Sequence, residues 1–293
     1  MRSLLFVPAD SEKKLSKSLT VGADGLLLDL EDSVAASNKP AARPLAAAFI
    51  EETRKRSQRP RLYVRINPLD GPYWKDDLAA VIGAQPDGII LPKPKGAEDV
   101  ATLAQALDRA EPQHNIALGA TKIIAIASEV PAAIFNFASY LTASERLEAI
   151  TWGAEDLSAL VGSAATREPE GVWTSPYKLA RDLCLFAATG SGRQPIDTVF
   201  VNFRDAVGLR EECRIAARDG FTGKMAIHPD QVARINAAFT PAESEIAWAK
   251  EIAALFAANP TAGTMSLHGQ MIDRPHLVRA ERILARAKMA GMA

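Results

Sequence analysis

Short runs of Val, Ile and Leu alternate along the chain with stretches whose apolar residues recur every three to four positions, a pattern that predicts strands joined by helices. Eight strands are expected, over residues 4–7, 24–31, 62–67, 88–93, 122–127, 149–152, 196–201 and 223–227. Because these runs are largely apolar rather than alternating, both faces should be covered, as in a parallel sheet with helical crossovers. The expected fold is therefore α/β, a closed (β/α)8 TIM barrel. An open doubly wound sheet is the rival, but it would usually carry a glycine-rich phosphate turn after the first strand, and Pro8-Ala9-Asp10-Ser11 stands there instead. Residues 1–239 suffice for the barrel and leave 240–293 as a C-terminal helical extension. In that extension a helix should start with Thr240 as N-cap, Pro241 in the first turn and Glu243 closing a capping box, and should end near Asn259. A linker with little periodicity is expected over 261–272, then a basic amphipathic helix over 275–288. Such a tail is surplus to a barrel, free to cap its mouth or to reach a neighbouring subunit.

Composition agrees with one large folded unit: of 293 residues 48% are hydrophobic and 24% charged, which argues against disorder. The 34 basic and 35 acidic residues nearly cancel and form no long run, so neither nucleic acid nor an anionic membrane is expected as a partner. Cys184 and Cys213 lie in helix-like segments without CxxC or histidine spacing, and are expected as core thiols rather than disulfide or zinc ligands. The first strand begins at once and no apolar run reaches spanning length, so a cytoplasmic protein without a signal peptide is expected.

If the barrel is right, chemistry belongs at the C-terminal ends of its strands. The segment Ala149-Ile150-Thr151-Trp152-Gly153-Ala154-Glu155-Asp156 closes a strand with two carboxylates, and 122–129 closes another with Glu129. Carboxylates at successive strand ends, with no Cys or His cluster nearby, suit a hard cation such as Mg2+; Glu129 and Asp156 are the candidate ligands. Helix capping and pairing with a helix dipole are the alternative for each. Arg65 sits among apolar strand residues and needs an anionic partner, either Asp29, Glu31 or Asp32 within the protein or a substrate carboxylate held bidentately. Lys93, between Pro92 and Pro94, reads as an ion-paired or solvated lysine, with a Schiff-base nucleophile as the sharper alternative. Asn67, Asn202, Asp205 and His228 also fall at strand ends, His228 without a metal-sharing neighbour. Asp273, ahead of Arg274-Pro275-His276, reads by default as the N-cap of the last helix.

Taken together, Arg2-Ser3-Leu4-Leu5-Phe6-Val7-Pro8, Leu28-Asp29-Leu30-Glu31-Asp32-Ser33-Val34, Val64-Arg65-Ile66-Asn67, Leu91-Pro92-Lys93, Gly153-Ala154-Glu155-Asp156-Leu157, Lys224-Met225-Ala226-Ile227-His228-Pro229 and Met271-Ile272-Asp273-Arg274-Pro275-His276 resemble, in order, the motifs of the citrate lyase β-subunit-like acyl-CoA lyases of the HpcH/HpaI aldolase-like superfamily. Malyl-CoA and citramalyl-CoA lyases belong to that group. One departure is Val130, where many relatives place a threonine after the metal-binding glutamate. The resemblance implies a homotrimeric or homohexameric barrel with Mg2+ on Glu129 and Asp156. It implies that Arg65 holds the substrate carboxylate or carbonyl and that Glu31 and Asp32 lie near the metal's waters. Asp273, from a neighbour's tail, is then expected to exchange a proton with the acyl-CoA α-carbon. The implied reaction cleaves or forms the C–C bond of a 3-hydroxyacyl-CoA, giving a 2-oxoacid and an acyl-CoA. A thioesterase using the same site, or a carrier-dependent citrate lyase β-type subunit, is the alternative. The phosphates of CoA need cations at the rim, for which Lys14 and Lys17 are candidates; an ordinary solvated helix face is the other reading of both.

Overall fold

The computed structural model describes residues 1–292. Eight strands, β1 (Ser3–Pro8), β2 (Gly25–Asp29), β3 (Arg61–Arg65), β4 (Gly88–Leu91), β5 (Lys122–Ile126), β6 (Leu147–Thr151), β7 (Gln194–Asp197) and β8 (Gly223–Ala226), pair in chain order, and β1 also pairs with β8 to close a parallel barrel. Helices α1 (Glu12–Ser18), α2 (Lys39–Arg54), α3 (Trp74–Val81), α4 (Ala97–Gln113), α5 (Pro131–Ile134), α6 (Glu155–Val161), α7 (Ser175–Gly190), α8 (Ala206–Asp219) and α9 (Pro229–Phe239) follow the strands in turn. Seven strands lie where the apolar runs predict them. β7 is shifted toward the N-terminus, because Gln194 bonds the Met1 carbonyl at 2.6 Å and Thr222 Oγ1 at 3.0 Å. By Phe200 the chain has left the ladder: its carbonyl accepts from Gln231 Nε2 at 2.7 Å.

Side chains alternate along each strand between the barrel interior and the helical layer. Leu4, Leu27, Tyr63, Ile90, Ile124, Ala149, Ile196 and Met225 form one interior cluster. Two residues further along their strands, Phe6, Asp29 and Arg65 share the same face one layer nearer the C-terminal mouth, where register pairs Asp29 with Arg65. Strand periodicity thus delivers an acid and a guanidinium to one interior wall. Between barrel and helices lies a second charged group. Lys224 of β8 is fully buried and donates to Asp197 of β7 at 2.8 Å and to Glu212 of α8 at 2.6 Å. Asp197 also accepts from Trp152 Nε1 at 2.8 Å.

The chain divides into two compact units, residues 1–236 and a second beginning at Ala237. The second contains α10 (Glu243–Ala258), a hairpin of β9 (Thr264–Leu267) and β10 (Gln270–Asp273), and α11 (Arg274–Met289). Its own core joins Ile246, Ile252 and Phe256 of α10 to Ile272, Leu277 and Ile283. Two expectations are corrected here. The stretch expected as a linker folds as a hairpin whose turn residues His268 and Gly269 have φ of 51° and 78°, the left-handed pair that a two-residue type I′ turn requires. The helix expected to be capped by Thr240 is instead preceded by extended Ala242, whose carbonyl accepts the first helical bond from Ile246. The Glu245 carboxylate, rather than that of Glu243, reaches back to the Ala242 amide at 2.9 Å. Cys184 and Cys213 are both buried. Among the described residues no helix is long and apolar enough to cross a membrane.

Candidate active site

Arg65 resolves its need for an anion inside the barrel. Its Nε and Nη2 donate to Asp29 Oδ1 and Oδ2 at 2.7 and 2.6 Å, and Nη1 lies 2.8 Å from Glu31 Oε2. Asp29 also accepts from the amides of Glu31 at 2.9 Å and Ser33 at 3.1 Å, so both of its oxygens are engaged. Burial alone would raise the Asp29 pKa, but the Arg65 guanidinium and these donors outweigh it and hold the carboxyl below its ordinary range. Of the three acids expected beside Arg65, Asp29 and Glu31 pair with it, while Asp32 pairs with Lys93. The guanidinium stacks 4.7 Å from the Phe6 ring centroid, and both residues line the cavity at the barrel mouth.

The loop after β2 that carries Glu31 is fixed from below. Lys39 Nζ donates to the carbonyls of Leu30 and Glu31, each at 2.7 Å, and Asn67 Nδ2 donates to Leu30 O at 3.0 Å and Asp77 Oδ2 at 2.6 Å. Asn67 is therefore scaffold. Lys39 carries no motif, and only its contacts reveal its part in holding Glu31.

Glu129 and Asp156 meet at the same cavity, of about 290 Å³. Ser128 stitches the ends of β5 and β6 together, accepting from the Gly153 amide at 3.1 Å and donating to the Gly153 carbonyl at 3.2 Å. Glu129 then lies across Gly153, where a β-carbon would come within 2.8 Å of its Cγ. Its Oε2 accepts from the backbone amide of Lys93 at 2.6 Å. Burial, then repulsion from Glu31, then from Asp156, against the pull of Lys93, push the Glu129 carboxyl up to about 8. Burial likewise raises Glu31, against the opposing pull of Arg65 and Lys93.

Lys93 is the hub. Its ammonium pairs with Glu31, with Asp32 at 3.1 Å and with Asp156 at 3.3 Å. Burial would lower its pKa, but hydrogen bonding and attraction to Glu31, with Glu129 and Asp156 behind, raise it. A Schiff-base lysine must shed its proton, so this environment opposes that role.

These carboxylates fit a divalent ion. Glu129 is buried in an environment that disfavours its negative charge, Gly153 leaves room for its side chain, and the donors are oxygen only. Among the described residues no group of three or more His, Cys, Asp or Glu is arranged to hold a metal. A two-carboxylate site completed by water and substrate oxygens is the arrangement Mg2+ commonly takes.

Other candidates fall outside this cluster. Glu155 lines the cavity beside Asp156. Lys14 and Lys17 are exposed on α1 and do not line the cavity. Asp205 caps α8, accepting from Val207 and Gly208, and Asn202 is exposed. His228 accepts from the Asp230 amide at 3.2 Å and stacks on Phe203 with centroids 4.6 Å apart. In the second unit Asp273 sits at the N-cap position of α11, and its amide donates to His276 Nδ1 at 3.3 Å. Its Oδ1 lies 2.6 Å from His276 Nδ1.

The model of the family described as HpcH/HpaI aldolase/citrate lyase matches residues 2–229. The chain is 36% identical to the citrate lyase subunit beta of Haemophilus influenzae, over 98% of this chain and 97% of that one. It is 30% identical to the mitochondrial citramalyl-CoA lyase of Rattus norvegicus, over 98% and 86%. Among solved structures, the protein CitE of Mycobacterium tuberculosis, in complex with magnesium, acetoacetate and coenzyme A, superposes with a TM-score of 0.79 at 31% identity, covering 98% of this chain and 100% of that one.

Proposed function

The chain belongs to the HpcH/HpaI aldolase/citrate lyase family and is a carbon–carbon lyase, and from that premise we propose that it is a Mg2+-dependent acyl-CoA lyase. Its substrate is a 3-hydroxyacyl-CoA such as malyl-CoA or citramalyl-CoA, cleaved to a 2-oxoacid and an acyl-CoA or formed from them. The observation that carries this reading is the convergence of Glu129, Asp156 and Arg65 on one cavity.

Glu129 and Asp156 would hold the metal, whose charge would stabilise the alkoxide formed when the substrate's 3-hydroxyl loses its proton to water. As the C2–C3 bond breaks, that alkoxide becomes the carbonyl of the oxoacid and the electron pair passes to the thioester enolate. Arg65 orients the substrate. With Nε and Nη2 on Asp29 and Nη1 beside Glu31, the guanidinium is fixed in plane at the cavity wall, where its remaining N–H groups meet a carboxylate at little cost in lost side-chain freedom. Glu31 and Asp32 sit behind, on Lys93, as acceptors for water at the metal. A cavity of about 290 Å³ is at the small end for ligand sites and suits a short acyl group with the nucleotide of CoA outside. Lys14 or Lys17 on α1 would meet its phosphates. The thioester enolate left by cleavage takes a proton at its α-carbon. We assign that proton to Asp273, delivered by the C-terminal unit of a neighbouring copy in a homotrimer or homohexamer.

The test is turnover of the purified chain on a panel of CoA thioesters, with and without EDTA. A 2-oxoacid and an acyl-CoA should appear together only when Mg2+ is present, and Asp156→Ala should abolish both. Release of free CoA without an oxoacid would make the enzyme a thioesterase. The identity with a citrate lyase β-subunit favours one further reading, a carrier-dependent subunit; turnover of carrier thioesters but of no CoA thioester would establish it.

A further inference from the structure

Lys93 touches both proposed metal ligands, and by different atoms. Its backbone amide donates to Glu129 at 2.6 Å, while its ammonium lies 3.3 Å from Asp156. The residue adopts φ of 51°, a left-handed conformation that side-chain-bearing residues rarely take, between two prolines that restrict the chain on either side. The same ammonium reaches Glu31, which is 3% exposed and also paired with Arg65, and Asp32, whose side chain is 60% exposed. One cation thus spans three carboxylates, and one of them is Asp156.

A divalent ion on Asp156 and an ammonium at ion-pair distance from the same carboxylate repel each other strongly at such separations. The ammonium has somewhere else to go, since Glu31 and Asp32 stay within its reach. We propose that Lys93 and the divalent cation are alternative partners of Asp156: loading the site moves the ammonium onto Glu31 and Asp32, and Lys93 thereby sets how tightly the metal is held. This rests on the reading of Glu129 and Asp156 as metal ligands. A consequence is that Mg2+ alone binds weakly. A substrate carboxylate adds the negative charge that lets both cations remain, so metal and substrate strengthen each other's binding by the same factor.

The experiment is calorimetric titration of the intact protein with MgCl2 alone, without thioester. Lys93→Met should lower the dissociation constant tenfold or more, and Lys93→Arg, which keeps the charge, should stay within a few-fold of wild type. Lys93→Gln drops the charge but keeps a donor for Glu31, carries the same expectation as Lys93→Met, and decides the matter if the Met variant does not fold. Unchanged or weaker Mg2+ binding by a folded neutral variant overturns the competition. If neither wild type nor a folded neutral variant binds Mg2+, the metal reading of Glu129 and Asp156 fails, and this inference fails with it.

Discussion

Gly153 has no side chain because Glu129 occupies the space one would need. A β-carbon there would lie 2.8 Å from Glu129 Cγ, so Gly153→Ala must push the glutamate out of line with Asp156. Metal ligands displaced in this way commonly lose ten- to a hundredfold in affinity (roughly). We expect Gly153→Ala to weaken Mg2+ binding about tenfold or more while its melting temperature stays close to wild type; wild-type affinity by calorimetry would contradict the geometry. Much of the site could be read as residue types at strand ends, because strand ends are local and carboxylates after apolar runs stand out. What could not be read is who pairs with whom. Arg65 announced a need for an acid, but Asp29, Glu31 and Asp32 were equivalent in sequence until register set Asp29 beside it. Lys93 was harder, since its partners come from the loop after β2, the end of β5 and the start of α6.

At the scale of elements, the barrel depends on charges its helices conceal. Asp197 neutralises the buried ammonium of Lys224 and accepts from Trp152. Asp197→Ala leaves that ammonium with Glu212 alone and should cost about 3–5 kcal/mol, read as a lowered urea midpoint; a change under about 1 kcal/mol would mean the network contributes little. A second buried acid links the fold to pH. Glu111 accepts from the amides of Thr121 and Gly119, each at 2.8 Å, and pairs with Arg146. Burial alone would raise its pKa, but Arg146 and those amides outweigh it and hold it down at about 2. A depressed folded pKa means stability that is present above the unfolded value of about 4.5 and is lost as pH falls toward about 2. Glu111→Gln should flatten the unfolding free energy across that interval; an unchanged slope would rule the linkage out. Neither pairing was legible, because nothing local in the sequence says that Lys224 meets Asp197 and Glu212 or that Glu111 meets Arg146. The strands themselves were legible as apolar runs, whereas the hairpin of β9 and β10 was not: Ile272 is its one buried position, too few to mark a strand pair.

For the whole molecule, the open question is whether one active site draws on two chains. The barrel unit carries Arg65, Glu129 and Asp156, and the second unit carries Asp273 at the end of a hairpin, its carboxylate against His276. If Asp273 serves a neighbour's barrel, Arg65→Ala and Asp273→Asn should each be inactive alone, yet not when combined. In a randomly mixed, symmetric oligomer about one site in four then joins an intact Arg65 to an intact Asp273 from the adjacent chain. Co-expressed variants should therefore recover about a quarter of wild-type activity. Were Asp273 to act within its own chain, no protomer in the mixture would hold both residues and no activity would return. The recovered fraction reads out connectivity directly, because both variants leave Glu129 and Asp156 intact and the metal reading does not enter the count.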